Sequence, residues 1–137
     1  MRDSVLNQYL QPKPERVDGD DLEDARGAID DLGAFGWLRG IHERALMLEL
    51  RRKDGNIVAF GYAWLEHADF DPSEGITLHF GVKKIKITGR HLNTEIRSNV
   101  RLFAGLVRHR VPWIQESDER SALTANPAVT VIEQFEF

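Results

Sequence analysis

The chain contains no cysteine, which excludes disulfide bonds, thiolate-bound metals and a cysteine nucleophile. The polar segment Met1–Arg16 lacks the apolar run that a signal peptide or a membrane-spanning helix needs. No serine lies in a Gly-x-Ser-x-Gly elbow, and no glycine run matches a phosphate loop or a dinucleotide fingerprint. These absences favour a cytoplasmic, non-enzymatic protein without a cofactor or a membrane partner.

The net charge is also small, at −4, and the composition of 42% hydrophobic and 29% charged residues is that of a globular protein. We expect one domain over residues 20–137, after an extended N-terminal arm over residues 1–19. Between Arg39 and Arg110, thirteen Lys or Arg residues outnumber eight Asp or Glu residues. This excess favours an electropositive surface on an acidic protein, although such charges also simply keep a surface solvated.

The clearest structural signal lies at Lys53-Asp54-Gly55-Asn56, which separates two segments of alternating apolar residues. It predicts a β-hairpin with a two-residue type I′ turn at Asp54-Gly55. In that register Leu48 lies opposite Gly61, and the other face carries an aromatic row. This row either packs beneath another element or forms a binding surface, and it consists of Phe60, Tyr62 and Trp64.

Helical spacing predicts one helix near Asp21–Leu32 and another over Thr94–Arg110. Alternation predicts strands over Ile76–Phe80 and Val82–Thr88. A C-terminal strand over residues 128–137 is expected to join a sheet edge in this chain or in a neighbouring one. The predicted fold class is therefore α+β or mainly β, a small, strongly bent antiparallel sheet or barrel with an N-terminal helix and a helix after the strands.

The order of the strand signals carries a family resemblance. The alternating strand Leu46–Leu50 leads through the acidic-glycine turn Asp54-Gly55 into a strand with a glycine bend at Gly61. Ile87-Thr88-Gly89-Arg90 then stands where a closing Ile/Val-x-Gly segment is expected. With these features, residues 44–92 resemble an Sm-like small β-barrel.

The resemblance implies homo-oligomers joined through strand edges, and single-stranded RNA as a ligand. However, the Glu66–Phe70 loop lacks the Asp-x-Met-Asn pattern whose asparagine holds an RNA base in that family. The helix predicted over Thr94–Arg110 is an addition to the minimal barrel. The implied fold therefore transfers more readily than the implied RNA site.

Basic and aromatic residues form the first candidate site, for single-stranded RNA or DNA. Lysines on a strand and arginines on one predicted helix face supply contacts to phosphates, while aromatic rings stack on bases. The alternative is that the lysines protect a strand edge and the arginines form the solvated side of an amphipathic helix. The residues concerned are Lys84, Lys86, Arg90, Arg97, Arg101, Arg108, Tyr62 and Trp64.

The second candidate is the Glu66–Glu74 loop, in which a histidine and several carboxylates offer ligands to a divalent cation or groups for acid-base catalysis. Its spacing matches no known metal motif, so no metal site is predicted and a solvated connector is the alternative. An enzyme would need this loop to converge with His79 or His91. We therefore predict a non-enzymatic binding or assembly module of Sm-like character; the alternatives are a protein–protein adaptor without nucleic-acid binding and a metal-dependent enzyme.

Overall fold

The computed structural model describes residues 28–118 and 129–137. Within these ranges strands predominate, and neither of the two short helices could span a bilayer. The predicted arm over residues 1–19 lies outside them. The elements are β1 (Ile29–Asp31), β2 (Gly36–Leu38), β3 (Met47–Arg51), β4 (Ile57–Gly61), a 3-10 helix (Tyr62–Trp64), β5 (Leu65–Asp71), β6 (Gly75–Phe80), β7 (Lys83–Arg90), α1 (Leu102–Val107), β8 (Trp113–Gln115) and β9 (Val131–Glu136).

The described strands form three sheets, with strand orders β1-β2, β4-β3-β8 and β5-β6-β7-β9. Neighbouring strands are antiparallel except β3 and β8, which are parallel. None of the three sheets closes on itself in this part of the chain, so the predicted barrel over residues 44–92 is wrong. The chain leaves the three-stranded sheet at Tyr62, whose buried hydroxyl donates a hydrogen bond to the Val111 carbonyl oxygen at 2.6 Å.

The hairpin forms where the sequence predicts it, but its turn differs. The Gly55 N–H donates to the Arg52 carbonyl at 3.0 Å, and the Arg52 N–H donates to the Asn56 carbonyl at 2.8 Å. Gly55 has a φ of 96°, as in a three-residue loop with a left-handed glycine. The register is therefore shifted by one residue, and Leu48 lies opposite Phe60 instead of Gly61.

This shift and the 3-10 helix divide the predicted aromatic row. Phe60 now shares the inner face of the sheet with Leu48, and its ring stacks on Phe80 with centroids 5.1 Å apart. Tyr62 is buried, whereas Trp64 is 66% exposed. The three rings therefore do not form one surface.

The N-terminal helix predicted near Asp21–Leu32 is wrong over its described part. Residues Ile29–Asp31 form β1, which pairs with β2. The Asp31 carboxylate accepts the Gly33 N–H at 2.9 Å, and Gly33 has a φ of 89°. This left-handed turn reverses the chain and favours strand pairing over a helix.

The second predicted helix, Thr94–Arg110, is reduced to the six residues of α1. Before α1, the Ile96 N–H donates to the Val100 carbonyl, and the Val100 N–H donates to the Arg97 carbonyl. Asn99 has a φ of 63°, and its N–H donates to the Glu95 carboxylate at 2.8 Å. This side-chain bond stabilises a tight turn in place of the first helical turns.

The core lies between the inner faces of the two larger sheets and α1. Strands β6 and β7 confirm the predicted alternation, because Ile76, Leu78, Ile85 and Ile87 are fully buried. Strand β9 adds Phe135 and pairs with β7 of the same chain.

A buried carboxylate connects the two larger sheets. Glu116, only 6% exposed, follows β8. One of its oxygens accepts the Lys53 N–H in the hairpin loop at 2.9 Å, and the other accepts the Phe135 N–H in β9 at 2.8 Å. Both oxygens therefore have a hydrogen-bond donor.

Candidate functional site

The basic and aromatic residues selected from the sequence do not form one surface. Lys84 and Lys86 lie on the outer face of the four-stranded sheet, and the Lys86 ammonium pairs with the Glu74 carboxylate at 2.7 Å, which raises the Lys86 pKa. The Arg101 guanidinium lies 3.5 Å from the Glu95 carboxylate. Arg90 is the last residue of β7, and it is exposed. Lys84 and Lys86 line a shallow pocket on that face. Arg97 and Arg108 line a different pocket, which contains more arginines.

That pocket, called here the arginine pocket, has a volume of about 440 Å³. It lies between the chain that follows β2, the turn before α1 and the C-terminal end of α1. Four of its residues are arginines, two of which the sequence analysis did not select. The lining residues are Trp37, Ile41, Arg44, Arg97, Ser98, Asn99, Val100, Arg108 and Arg110.

Arg110 binds the backbone segment that forms one wall of the pocket. Its guanidinium donates to the carbonyl oxygens of Gly40 at 2.8 Å, of Ile41 at 2.7 Å and of Leu38. It also lies over the Trp37 ring, 5.4 Å from the centroid, a distance typical of cation–π contacts. The carbonyl dipoles bind its two terminal nitrogens without cancelling its charge, while its buried Nε has no hydrogen-bond partner among the described residues.

Arg97 shares a carboxylate with a residue outside the pocket. Its guanidinium lies 2.5 Å from one Asp30 oxygen, and Arg39 lies 2.7 Å from the other. These two hydrogen bonds lower the Asp30 pKa. The single negative charge of Asp30 therefore pairs with two arginines and neutralises neither of them fully.

The charges of Arg44 and Arg108 are not offset by a neighbouring carboxylate in the described part of the chain. Among the described residues neither forms an ion pair, and the Arg44 guanidinium donates only to the Glu43 carbonyl at 2.9 Å. The effect of Arg44 reaches its neighbours, because burial and the Arg44 charge together lower the pKa of both His109 and Arg110. The pocket is therefore a cationic recess on an acidic protein, and it attracts anions.

No family model, curated protein or solved structure matches this chain. Its function is therefore inferred from the geometry of its own residues.

The second site considered from the sequence, the Glu66–Glu74 loop, is largely a strand. Residues up to Asp71 belong to β5, and the remainder forms the turn to β6. The strand brings His67 and Asp69 beside His79 on β6. Of the two histidines predicted to converge with this loop in an enzyme, His79 joins the cluster and His91 does not.

Proposed function

We propose that this protein is a cytoplasmic, non-enzymatic binding module that holds phosphate groups of single-stranded RNA or DNA in the arginine pocket. The main support is the convergence of Arg44, Arg97, Arg108 and Arg110 on one recess. Guanidinium groups present paired N–H donors that match phosphate oxygens, and they stay charged at any cellular pH. Of the basic site predicted from the sequence, the pocket contains Arg97 and Arg108 but none of the β7 residues.

A single strand suits this recess better than a duplex. The volume of about 440 Å³ lies in the range of small-ligand sites, about 300–1,000 Å³. It accepts one nucleotide that has turned out of a flexible strand, whereas a duplex keeps its bases stacked. Ile41, which is 79% exposed at this pocket, offers an apolar surface beside the cations.

The test is fluorescence anisotropy with short labelled RNA and DNA strands at about 50 mM and about 200 mM salt. Neutralisation of the two phosphates that flank one bound nucleotide gives a salt slope of about −1.4 on logarithmic axes, so the affinity is expected to fall about sevenfold over this fourfold change. Failure to bind either strand at the lower salt concentration would refute the proposal.

Two charge-reversed variants locate the site. The double variant Arg44→Glu, Arg108→Glu alters two exposed pocket residues and should abolish binding. The control, Lys83→Glu with Lys84→Glu, changes the net charge equally but alters the exposed end of β7. Retained binding in the pocket variant and loss in the control would place the nucleic acid on the sheet and contradict the pocket.

We also propose a second function, self-association through β4. Among the described residues β4 pairs only with β3, so its other edge is unpaired. Its Ile57 side chain is 58% exposed, and exposed Met47 and Trp64 flank Gly61 at the opposite end of the strand. An exposed apolar edge is a template for pairing with a second copy of the chain.

Light scattering tests this second function. We expect a dimer or larger oligomer whose mass falls to that of a monomer when Ile57 and Ala59 are both replaced by lysine. The matched control is Val82→Lys, in the exposed turn between β6 and β7, which should leave the mass unchanged. A monomeric native protein, or an oligomer that survives the double substitution, would favour a protein–protein adaptor acting through another surface.

A further inference from the structure

Two histidines and an aspartate meet on the outer face of the four-stranded sheet. His67 and Asp69 are two residues apart in β5 and project from the same face, while His79 lies directly opposite His67 in β6. One nitrogen from each imidazole and one carboxylate oxygen lie within 4.8 Å of one another. The cluster lies outside the arginine pocket and uses none of its residues.

A β-bulge creates this alignment. The register between β5 and β6 shifts between Leu65 and His67, which makes Glu66 an extra residue. In a regular ladder continued from Leu65, Glu66 would oppose His79, and His67 would oppose the buried Leu78. The bulge therefore turns His67 from the core side to the outer side, as bulges near functional sites often do.

The three side chains have the right chemistry and enough freedom for zinc. Imidazole nitrogens and carboxylate oxygens are common zinc ligands, bound at about 2.0–2.2 Å, which places tetrahedral ligand atoms about 3.3 Å apart. The His67 imidazole and the Asp69 carboxylate are already hydrogen-bonded at 2.8 Å, and each side chain is 59% exposed. The rings of His67 and His79 are 5.1 Å apart at 88°, so small side-chain rotations bring all three donors to one ion.

We propose that His67, Asp69 and His79 bind one Zn²⁺ ion, with water in the fourth position. Three protein ligands with an open fourth position are the arrangement of zinc sites that exchange ligands with solvent. The sequence alone does not reveal the site, because no second histidine lies near His67 at the usual motif spacing. Lys84 opposes His79 from β7, so it places a positive charge on the strand beside this cluster.

Isothermal titration calorimetry with zinc chloride tests the site on the full chain without a histidine tag. We expect one zinc ion per chain, an affinity loss of at least about tenfold in His79→Ala, and tighter binding in Lys84→Ala. Excess zinc should raise the unfolding midpoint of the native protein but not that of His79→Ala. His42→Ala, which removes an exposed histidine elsewhere, is the matched control and should bind like the native protein.

Absence of zinc binding would overturn this proposal, as would an unchanged affinity in both His67→Ala and His79→Ala. Because all three side chains are at least partly exposed, these variants are expected to fold, and circular dichroism verifies this. The double variant Arg44→Glu, Arg108→Glu should retain the zinc affinity. The zinc proposal and the nucleic-acid proposal can therefore be refuted independently of each other.

Discussion

Among the carboxylates that the structure describes, Glu116 is the one whose replacement by the isosteric amide, glutamine, should destabilise the protein most. Each Glu116 oxygen accepts one backbone N–H, from Lys53 at 2.9 Å and from Phe135 at 2.8 Å. Hydrogen bonds to a charged group contribute about 1.5–3 kcal/mol each. Glutamine keeps one acceptor, but its NH₂ group points at the other N–H, so a donor faces a donor. We expect the free energy of unfolding to fall by about 3 kcal/mol.

Thermal unfolding followed by circular dichroism measures this loss. For a domain of this size, 1 kcal/mol corresponds to about 4 °C, so the midpoint should fall by about 12 °C. Glu133→Gln is the control, because Glu133 is an exposed carboxylate on the same strand as Phe135; its midpoint should change by less than about 2 °C. A fall below about 3 °C for Glu116→Gln would refute the view that this carboxylate connects the sheets.

Three other perturbations follow from the packing. Tyr62→Phe leaves a buried carbonyl without its donor and should lower the free energy of unfolding by about 1–2 kcal/mol in a urea titration; an unchanged midpoint would contradict this. A Cβ at Gly89 would overlap a β9 backbone carbonyl, so Gly89→Ala should cost about 3 kcal/mol, whereas native-like stability would show that β9 pairs differently. Burial and the Arg44 charge lower the His109 pKa below its usual 6.5, so the unfolded state binds this proton more tightly. The contribution of neutral His109 to the free energy of unfolding should be fully present above about pH 6.5 and should decrease below it. Urea titrations at about pH 7.5 and about pH 5.5 should show a smaller decrease in Arg44→Gln than in the native protein.

Alternation predicted β6 and β7 because each strand has one face in the core and one in water. The hairpin was also located correctly, but its register was not. Gly55 satisfies both a type I′ turn and the left-handed position of a three-residue loop. These two alternatives differ by one residue in pairing, and local sequence does not separate them.

Helical spacing located α1 but failed over residues 94–101, because the apolar pattern does not include side-chain bonds to the backbone. The Glu95 carboxylate holds the Asn99 N–H, and a turn forms where the pattern indicates a helix. Arg97 and Arg108 nevertheless line the same pocket, since the turn and the helix end both border it. The positions of Arg44 and Arg110 depend on that tertiary contact, which no local pattern encodes.

The parallel pair β3-β8 has a consequence for how the chain folds as it is synthesised. It joins Glu49 to Trp113, so the three-stranded sheet stays incomplete until β8 has left the ribosome, and the four-stranded sheet waits similarly for β9. Until then the nascent hairpins each carry an apolar face without its final cover, a condition that promotes aggregation and chaperone binding. The late pairing of distant segments, rather than the early hairpins, should therefore limit the folding rate.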